Sequence, residues 1–296
     1  MSSTKNESSV FAAVVGIPNV GKSTLMNHLI GAKISIASPR PQTTRKRVMG
    51  VITLDNTQYV FYDTPGFLVN GNLLAKKLSE TVRDTFAEAD CILFVTDPKK
   101  EFSDVEKELL EAIRLSGKPI ILVINKCDTV SGEEASLSAD ALSNIGKFDS
   151  CVLLSAQTGK GCEKLFEAIS GYGRDGFYYD EDTLTDSTER EIAADLIREQ
   201  LLYKLRDEIP HGCAVSIENW KERPDGVTDI EATIYCSRES HKGIIIGSKG
   251  AMLKKIGISS RIEIEKMTGF PVNLKLWVKV SPDWQNKDYF VKKFSV

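Results

Sequence analysis

The chain has 296 residues, of which 42% are hydrophobic and 27% charged, and this composition argues against a disordered or fibrous protein. At about 150 residues per domain, the length predicts two domains. The formal net charge of −3 argues against a protein that coats nucleic acid with its whole surface. The charge is unevenly distributed, because residues 175–232 include 16 acidic and 6 basic residues whereas residues 233–296 include 5 acidic and 12 basic residues. The basic C-terminal stretch predicts a local site for a polyanion.

The six cysteines form no C-x-x-C pair, which favours a reduced, intracellular protein. Residues 1–9 form a polar N-terminal tail, in which we see no secretory signal. No stretch approaches the run of about 18 apolar residues that a membrane helix needs. We therefore expect a cytoplasmic protein.

Residues 10–172 alternate short apolar runs with helical periodicity. Strands are predicted at 10–16, 46–54, 58–62, 91–96, 119–125 and 151–155, and helices at 22–30, 73–87, 104–116, 134–145 and 162–170. The run 120–124 is apolar throughout, as expected when helices cover both faces of a mostly parallel sheet. The pattern predicts a doubly wound α/β domain.

The alternation stops after residue 172, and residues 173–187 are predicted to form a linker that contains the aromatic cluster Phe177, Tyr178 and Tyr179. A second, α+β domain is predicted over 188–280. It begins with a helix over 188–208, followed by strands at 214–222 and 228–236. A short helix, a glycine-rich turn at 247–250, a helix to about 268 and a strand at 272–280 complete the order α-β-β-α-α-β. A C-terminal tail over 281–296 follows, and it either extends a binding surface or packs onto this domain.

The segment from Gly16 to Ser23 fits the P-loop pattern G-x-x-x-x-G-K-[ST] between a predicted strand and a predicted helix. Glycines at its two ends let successive backbone N–H groups point at phosphate oxygens, next to the positive end of the helix dipole. We expect Lys22 to reach the β- and γ-phosphate oxygens and Ser23 to offer its hydroxyl to Mg²⁺.

Three further motifs follow predicted strands at the sheet edge where open α/β folds bind ligands. They are Asp63-Thr64-Pro65-Gly66, Asn125-Lys126-Cys127-Asp128 and Ser155-Ala156. We expect Asp63 to hold Mg²⁺ through water and the Gly66 N–H to meet the γ-phosphate. The Asp128 carboxylate can accept hydrogen bonds from N1–H and N2–H of guanine together, which adenine does not offer. We further expect the Ala156 N–H to meet guanine O6, so the motifs predict a guanine-nucleotide site.

These four motifs in this order resemble translation-factor-type GTPases, and Gly-x-Pro-Asn-Val-Gly-Lys-Ser-Thr-Leu with Asp-Thr-Pro-Gly is similar to the Era-like branch. Residues 39–45 resemble the first switch of that family, which implies that Thr44 or Thr43 completes the Mg²⁺ shell, with Thr44 favoured. The implied GTP-binding residues are Gly16, Ile17, Pro18, Asn19, Val20, Gly21, Lys22, Ser23, Thr24, Asp63, Thr64, Pro65, Gly66, Phe67, Asn125, Lys126, Cys127, Asp128, Ser155 and Ala156. The implied catalytic residues are Asn19, Lys22, Thr44, Asp63 and Gly66, and the implied metal ligands are Ser23, Thr44 and Asp63.

Phe67 stands where many small GTPases have a glutamine that orients the attacking water. Because a phenylalanine cannot hydrogen-bond to that water, we expect slow hydrolysis, with water oriented by switch backbone, ordered solvent or a partner. Asn19 has two interpretations of equal weight: it ligates a potassium ion, as in some related GTPases, or it only caps the loop.

The turn Gly247-Ser248-Lys249-Gly250 between two predicted helices resembles the G-x-x-G turn of a KH domain, and the element order matches the bacterial topology. The implied RNA-binding residues are Arg238, Lys242, Ile245, Ile246, Gly247, Ser248, Lys249, Gly250 and Lys254, with the two isoleucines as the floor of the groove. The alternative is a structural helix–turn–helix with a solvated basic face.

A GTPase of this branch followed by a KH domain implies a ribosome-assembly factor. The resemblance implies that it binds GTP and GDP with Mg²⁺, and single-stranded RNA near the 3′ end of 16S ribosomal RNA on the 30S subunit when GTP is bound. It also implies a monomer with peripheral contact to the cytoplasmic face of the inner membrane. Two alternatives stay open: a GTP-driven switch whose C-terminal domain binds protein, and a nucleic-acid-modifying enzyme. Cys213 and Cys236, the thiols of the second domain, lack the flanking pattern that such an enzyme needs.

Overall fold

The computed structural model describes residues 7–38, 44–66 and 73–295. The chain divides into two compact units, and the boundary between them falls between Asp186 and Ser187. Within the described ranges, no helix is long and apolar enough to cross a membrane.

The first unit alternates strands and helices as expected. Its strands are β1 (Ser8–Val15), β2 (Val48–Leu54), β3 (Thr57–Asp63), β4 (Cys91–Thr96), β5 (Ile120–Ile124), β6 (Ser150–Leu153) and the short β7 (Arg174–Asp175). Its helices are α1 (Lys22–Ile30), α2 (Leu73–Glu88), α3 (Asp104–Arg114), α4 (Gly132–Ile145) and α5 (Cys162–Ile169). The sheet order is β2-β3-β1-β4-β5-β6, with β3, β1, β4, β5 and β6 parallel and β2 antiparallel to β3.

Strand β1 lies in the middle of this sheet, and its residues are buried on both faces. Val10, Ala12 and Val14 belong to one hydrophobic layer, and Ala13 and Val15 belong to the opposite layer. Since successive side chains of a strand point to opposite faces, this split requires helices on both sides of the sheet. The predicted doubly wound α/β fold is confirmed.

The structure differs from the sequence analysis at the expected linker, most of which packs on the first unit. The side chain of Gln58, which is fully buried, donates to the carbonyl of Tyr179 (2.9 Å) and accepts from the backbone N–H of Tyr178 (3.1 Å). The carbonyl of Leu184 accepts from the N–H of Val51 (2.9 Å). Because a buried side-chain amide needs hydrogen-bond partners, Gln58 holds the backbone of this segment against the first unit.

The second unit has the predicted order α-β-β-α-α-β and one additional helix. Its elements are α6 (Glu189–Lys204), β8 (Ala214–Glu222), β9 (Thr228–Cys236), α7 (Glu239–Ile246), α8 (Ala251–Thr268), β10 (Val272–Val280) and α9 (Asp288–Ser295). The sheet order is β10-β9-β8, in which β10 is parallel and β8 antiparallel to β9.

The C-terminal segment packs onto this second unit. The indole of Trp284 is fully buried and donates to the carbonyl of Gly212 (2.9 Å). On α9, the ring of Phe290 lies 5.3 Å from the ring of Tyr235. We expected the tail either to extend a binding surface or to pack onto the domain, and at these residues it packs.

Candidate functional site

The P-loop lies between β1 and α1, and its glycines sit where no side chain fits. A Cβ on Gly16 would lie 2.3 Å from the carbonyl oxygen of Val95. Gly21 has φ +93°, and a Cβ there would lie 2.3 Å from Nδ2 of Asn125. Both positions therefore need glycine, which allows the close approach of the backbone.

The ammonium of Lys22 is held inside this loop. It donates to the carbonyls of Gly16 (3.0 Å) and Ile17 (2.9 Å), and the residue is 7% exposed. Burial lowers the pKa of Lys22 to about 8, and the nearby Asp63 carboxylate opposes this effect. The ammonium can exchange these carbonyl oxygens for phosphate oxygens without moving far.

Oxygen-bearing side chains cluster behind the P-loop. The hydroxyls of Ser23 and Thr44 are 2.9 Å apart, and the Thr44 hydroxyl donates to Oδ2 of Asp63 (3.3 Å). The same Oδ2 accepts from the hydroxyl of Ser35 (2.6 Å). Asp63 is fully buried, and its Oδ1 has no hydrogen-bond partner within the described part of the chain. Burial raises the pKa of Asp63, and the Ser35 hydrogen bond counteracts part of that rise.

These residues fit a hard divalent cation such as Mg²⁺, which prefers oxygen ligands. The three side chains expected to hold it, Ser23, Thr44 and Asp63, lie together, and a buried carboxylate oxygen is left without a partner. Thr43, the alternative ligand, lies outside the described residues, as does Phe67.

The remaining motifs meet at the same edge of the sheet. The Asn125 side chain donates to the carbonyl of Val20 (2.8 Å) and accepts from the N–H of Ala156 (2.9 Å), which ties the P-loop to the segment after β6. In this structure that N–H donates to Asn125, and its contact with guanine O6 stays a prediction. Lys126 donates to the carbonyl of Asn19 (2.5 Å). Asp128 lies exposed beside it.

Sequence reasoning missed two residues of this site. Asp97 follows β4 and accepts from the ammonium of Lys126 (3.2 Å), and none of the four motifs includes it. Its position at the C-terminal end of a central strand was the signal that could have found it. Ser35, in contrast, belongs to no motif, and no pattern in the sequence marks it.

A groove in the second unit lies between α8 and β10 and has a volume of about 580 Å³. Its lining residues are Gly250, Leu253, Lys254, Gly257, Ile258, Arg261, Val272, Asn273, Leu274 and Leu276. The G-x-x-G turn stands at one end, with Ser248 and Lys249 exposed. Gly247 has φ +72°, and a Cβ there would lie 2.7 Å from Cβ of Met252, so the turn cannot accommodate a side chain.

Among the expected RNA-contacting residues, Gly250 and Lys254 line the groove, whereas Arg238, Lys242 and Ile246 lie in or next to α7. Ile245 is fully buried in the core of the second unit, which corrects our expectation that it floors the groove. The apolar lining comes instead from residues that sequence reasoning missed: Leu253, Ile258, Leu274 and Leu276. The alternation of β10, in which Leu274 and Leu276 share one face, was an available signal.

The fold and the two sites define a P-loop GTPase domain followed by a KH domain. The family model described as a 50S ribosome-binding GTPase matches residues 11–126, and the KH domain model matches residues 208–285. The chain is 43% identical over 287 residues to GTPase Era of Clostridioides difficile, covering 96% of this chain and 97% of that protein. It is 40% identical over 283 residues to GTPase Era of Ruminiclostridium cellulolyticum, covering 95% of each.

Two solved structures of Era are similar to this chain over nearly its whole length. A variant of Aquifex aeolicus Era bound to GDP·AlF4⁻ matches with a TM-score of 0.93 and 36% identity, covering 97% of this chain and 98% of that one. Era in complex with MgGDPNP and nucleotides 1506–1542 of 16S ribosomal RNA matches with a TM-score of 0.93 and 37% identity, with the same coverage. The chain belongs to the Era family of GTPases, which confirms the resemblance seen in the motifs.

Proposed function

We propose that this protein binds and slowly hydrolyses GTP, and that in the GTP-bound state it binds single-stranded RNA near the 3′ end of 16S ribosomal RNA during small-subunit assembly. The observation that carries the proposal is the presence, in one chain, of the P-loop cradle and of the groove beside the G-x-x-G turn. The match to Era in complex with MgGDPNP and a 16S fragment supports both halves.

The phosphates of GTP would be bound by backbone N–H groups of the P-loop and by Lys22. Ser23, Thr44 and Asp63 would hold Mg²⁺, which when bound neutralises charge on the β- and γ-phosphate oxygens. Gly66 is the residue that we expect to meet the γ-phosphate. A Cβ on Gly66 would lie 2.9 Å from Cγ of Pro18, so its backbone already stands against the P-loop. Loss of the γ-phosphate would be registered at this contact.

Guanine recognition would rest on Asp128, because its exposed carboxylate can accept two hydrogen bonds from the base. The stem of Lys126 would cover one face of the base. Lys126 is held in place by Asp97 and by the carbonyl of Asn19. The Asn125 side chain supports the loop through its bonds to both neighbouring segments.

Potassium binding by Asn19 stays a prediction beside the alternative that Asn19 shapes the loop. Asn19 has φ +69°, a conformation that asparagine adopts more readily than most residues, and this supports the loop-shaping interpretation. Equal rates of GTP hydrolysis in sodium and potassium buffers would contradict the potassium hypothesis.

RNA would bind along the groove of the second unit. A KH groove holds about four nucleotides, with the G-x-x-G turn against the backbone of the strand. Leu253, Ile258 and Leu276 offer apolar surface for bases, and Lys254 and Arg261 offer charge for phosphates. Since phosphate contacts release counterions, we expect the RNA affinity to fall steeply with salt.

If GTP raises the affinity for RNA, linkage requires RNA to raise the affinity for GTP by the same factor. This reciprocity separates a coupled switch from two independent binding domains. Both affinities can be measured on the full chain with a GTP analogue, with GDP and without nucleotide.

The deciding experiment replaces both Ser248 and Lys249 with aspartate and measures binding of a 3′-end 16S oligonucleotide by fluorescence anisotropy. We expect a loss of RNA affinity of about ten-fold or more, because two carboxylates would face the phosphates, with GTP affinity unchanged. Lys221→Asp, on the strand at the opposite edge of the sheet from the groove, is the control and should bind RNA almost normally. Unchanged RNA binding by the double variant would contradict the proposal and favour a protein partner.

The monomeric state and a peripheral contact with the inner membrane stay predictions. Light scattering on the purified chain tests the first, and co-sedimentation with anionic vesicles tests the second.

A further inference from the structure

The segment after α1 contains a buried hydroxyl that none of the four nucleotide motifs includes. Ser35 is 4% exposed, and its hydroxyl donates to Oδ2 of Asp63 at 2.6 Å. This distance is shorter than the 3.3 Å that separates the Thr44 hydroxyl from the same oxygen. Within the described residues, the hydrogen bond from Ser35 is therefore the shortest one to the Asp63 carboxylate.

Ser35 is itself held from α1. The side chain of Asn27 accepts hydrogen bonds from the backbone N–H groups of Ile34 (3.0 Å) and Ser35 (2.9 Å) and donates to the carbonyl of Ser35 (2.7 Å). Asn27 lies four residues after Ser23, so the two side chains share one face of the helix. Helix α1 thus supplies both the P-loop hydroxyl and the side chain that fixes Ser35.

The consequence is an asymmetric carboxylate. Oδ2 of Asp63 accepts from Ser35 and Thr44, whereas Oδ1 is buried and lacks a partner within the described residues. A carboxylate can rotate about its terminal torsion, and that torsion is broad unless hydrogen bonds hold it. The hydroxyls of Ser35 and Thr44 therefore hold Oδ2 and leave Oδ1 available, and the Ser35 hydroxyl is the nearer of the two.

We propose that Ser35, held by Asn27, is a positioning residue that orients the Asp63 carboxylate toward the divalent cation of the nucleotide site. The proposal rests on the proposed role of Asp63 in holding Mg²⁺. Residues that orient a metal-binding carboxylate typically change metal affinity by about 10- to 100-fold when they are removed.

The test measures release of fluorescent mant-GDP from the full-length protein as a function of free Mg²⁺, and in EDTA. For Ser35→Ala we expect the Mg²⁺ concentration that half-maximally slows release to rise about ten-fold or more, with release in EDTA unchanged. Ser35→Thr, which keeps a hydroxyl, should restore much of the Mg²⁺ response. Asn27→Ala should act in the same direction as Ser35→Ala, because it frees the backbone that carries Ser35.

Ser9→Ala is the matched control. Like Ser35, Ser9 is buried, and its hydroxyl donates to the backbone carbonyl of Gly176 (2.7 Å), away from the nucleotide site. If Ser9→Ala shifts the Mg²⁺ response as much as Ser35→Ala, the effect is a general loss of packing and the proposal is overturned. Faster release by Ser35→Ala in EDTA, with no shift in the Mg²⁺ response, would also overturn it.

Two further outcomes are decisive. A lower half-maximal Mg²⁺ concentration in Ser35→Ala would mean that the hydroxyl competes with the cation, which is the opposite of positioning. Asp63→Asn distinguishes the role of Asp63 in holding Mg²⁺ from the role of Ser35 in orienting Asp63. If Asp63→Asn leaves the Mg²⁺ response intact, the proposed role of Asp63 fails. If Asp63→Asn abolishes the response and Ser35→Ala leaves it unchanged, only the positioning role of Ser35 fails.

Discussion

Replacing Lys22 with methionine should weaken GTP binding and yet stabilise the nucleotide-free protein. Without phosphate, the Lys22 ammonium is buried with the carbonyl oxygens of Gly16 and Ile17 as partners. Burial lowers its pKa from 10.5 to about 8, so the folded state holds this charge at a cost. Methionine has a similar length and no charge to desolvate.

The magnitude follows from the pKa. At pH 7 both the folded and the unfolded chain carry the proton, and a folded-state pKa of about 8 in place of 10.5 favours the unfolded state by about 3 kcal/mol. Removing the charge recovers this free energy. Part of the gain is offset, because two backbone carbonyls lose their donor and the buried Asp63 carboxylate loses the nearby ammonium of Lys22. We therefore expect Lys22→Met to raise the free energy of unfolding by about 1–2 kcal/mol.

The stability of the wild type should rise with pH because of Lys22. Between the folded pKa of about 8 and the usual value of 10.5, the unfolded chain keeps the Lys22 proton after the folded chain has lost it. The unfolded state then binds more protons, so wild-type stability rises with pH through that window. Lys22→Met lacks this gain, and its advantage over the wild type should shrink as the pH approaches 10.5.

The assay is urea unfolding of nucleotide-free protein in EDTA. Circular dichroism follows both units, and tryptophan fluorescence reports the second one alone, because Trp220, Trp277 and Trp284 all lie there. The exposed Lys147→Met serves as the control and should change nothing. A Lys22→Met variant that is less stable than the wild type at pH 7, or a stability difference that pH does not change, would refute the reasoning.

Three further outcomes are expected. Asp128→Asn should lower the affinity for guanosine nucleotides by a factor on the order of 10⁴. The variant should favour xanthosine nucleotides, because these carry a carbonyl at C2 in place of the amino group. Competition binding measures the base preference, and an unchanged preference would contradict the prediction. Glu106→Gln should lower the free energy of unfolding by about 2 kcal/mol at pH 7, because the fully buried carboxylate accepts hydrogen bonds from Thr96 and Lys99. Burial raises the pKa of Glu106, but the hydrogen bonds from Lys99, Ser103 and Thr96 outweigh this effect and lower the pKa below 4.5. These bonds therefore stabilise the folded state above that pH, and the difference between variant and wild type should shrink as the pH falls below it. A difference independent of pH would contradict the assignment. Gly247→Ala should destabilise the second unit by about 1–3 kcal/mol because of its positive φ, and tryptophan fluorescence during urea unfolding measures this; an unchanged midpoint would contradict it.

The fold could be predicted because its hydrophobic patterns are strong. The buried strand β5 is apolar at every position, and the predicted bounds of β8, β9 and β10 coincide with the observed strands. The packing of the linker could not be predicted, because nothing in the sequence shows that the buried amide of Gln58 binds the backbone of Tyr178 and Tyr179. A contact across more than 100 positions has no local signature.

The candidate site shows the same limit. Motif residues such as Lys22 and Asp63 could be predicted because glycine spacing and strand ends are visible in one dimension. Ser35 could not be predicted, since its role depends on a turn that folds back to Asn27 and on the distance to Asp63. Ile245 was misassigned because three consecutive isoleucines do not reveal which one faces the core; in the structure Ile244 is 49% exposed and Ile245 fully buried.

The two anion sites use different physics, and the charge distribution reflects it. The P-loop meets phosphates with backbone N–H groups and Lys22, so the first unit needs no excess of positive charge and its GTP affinity should respond weakly to salt. The groove of the second unit meets RNA with surface charge, and residues 233–296 hold 12 basic and 5 acidic residues. Counterion release makes that affinity strongly salt-dependent. A net charge of −3 is therefore compatible with RNA binding, because the total hides the excess of positive charge in residues 233–296, of which Lys254 and Arg261 line the groove.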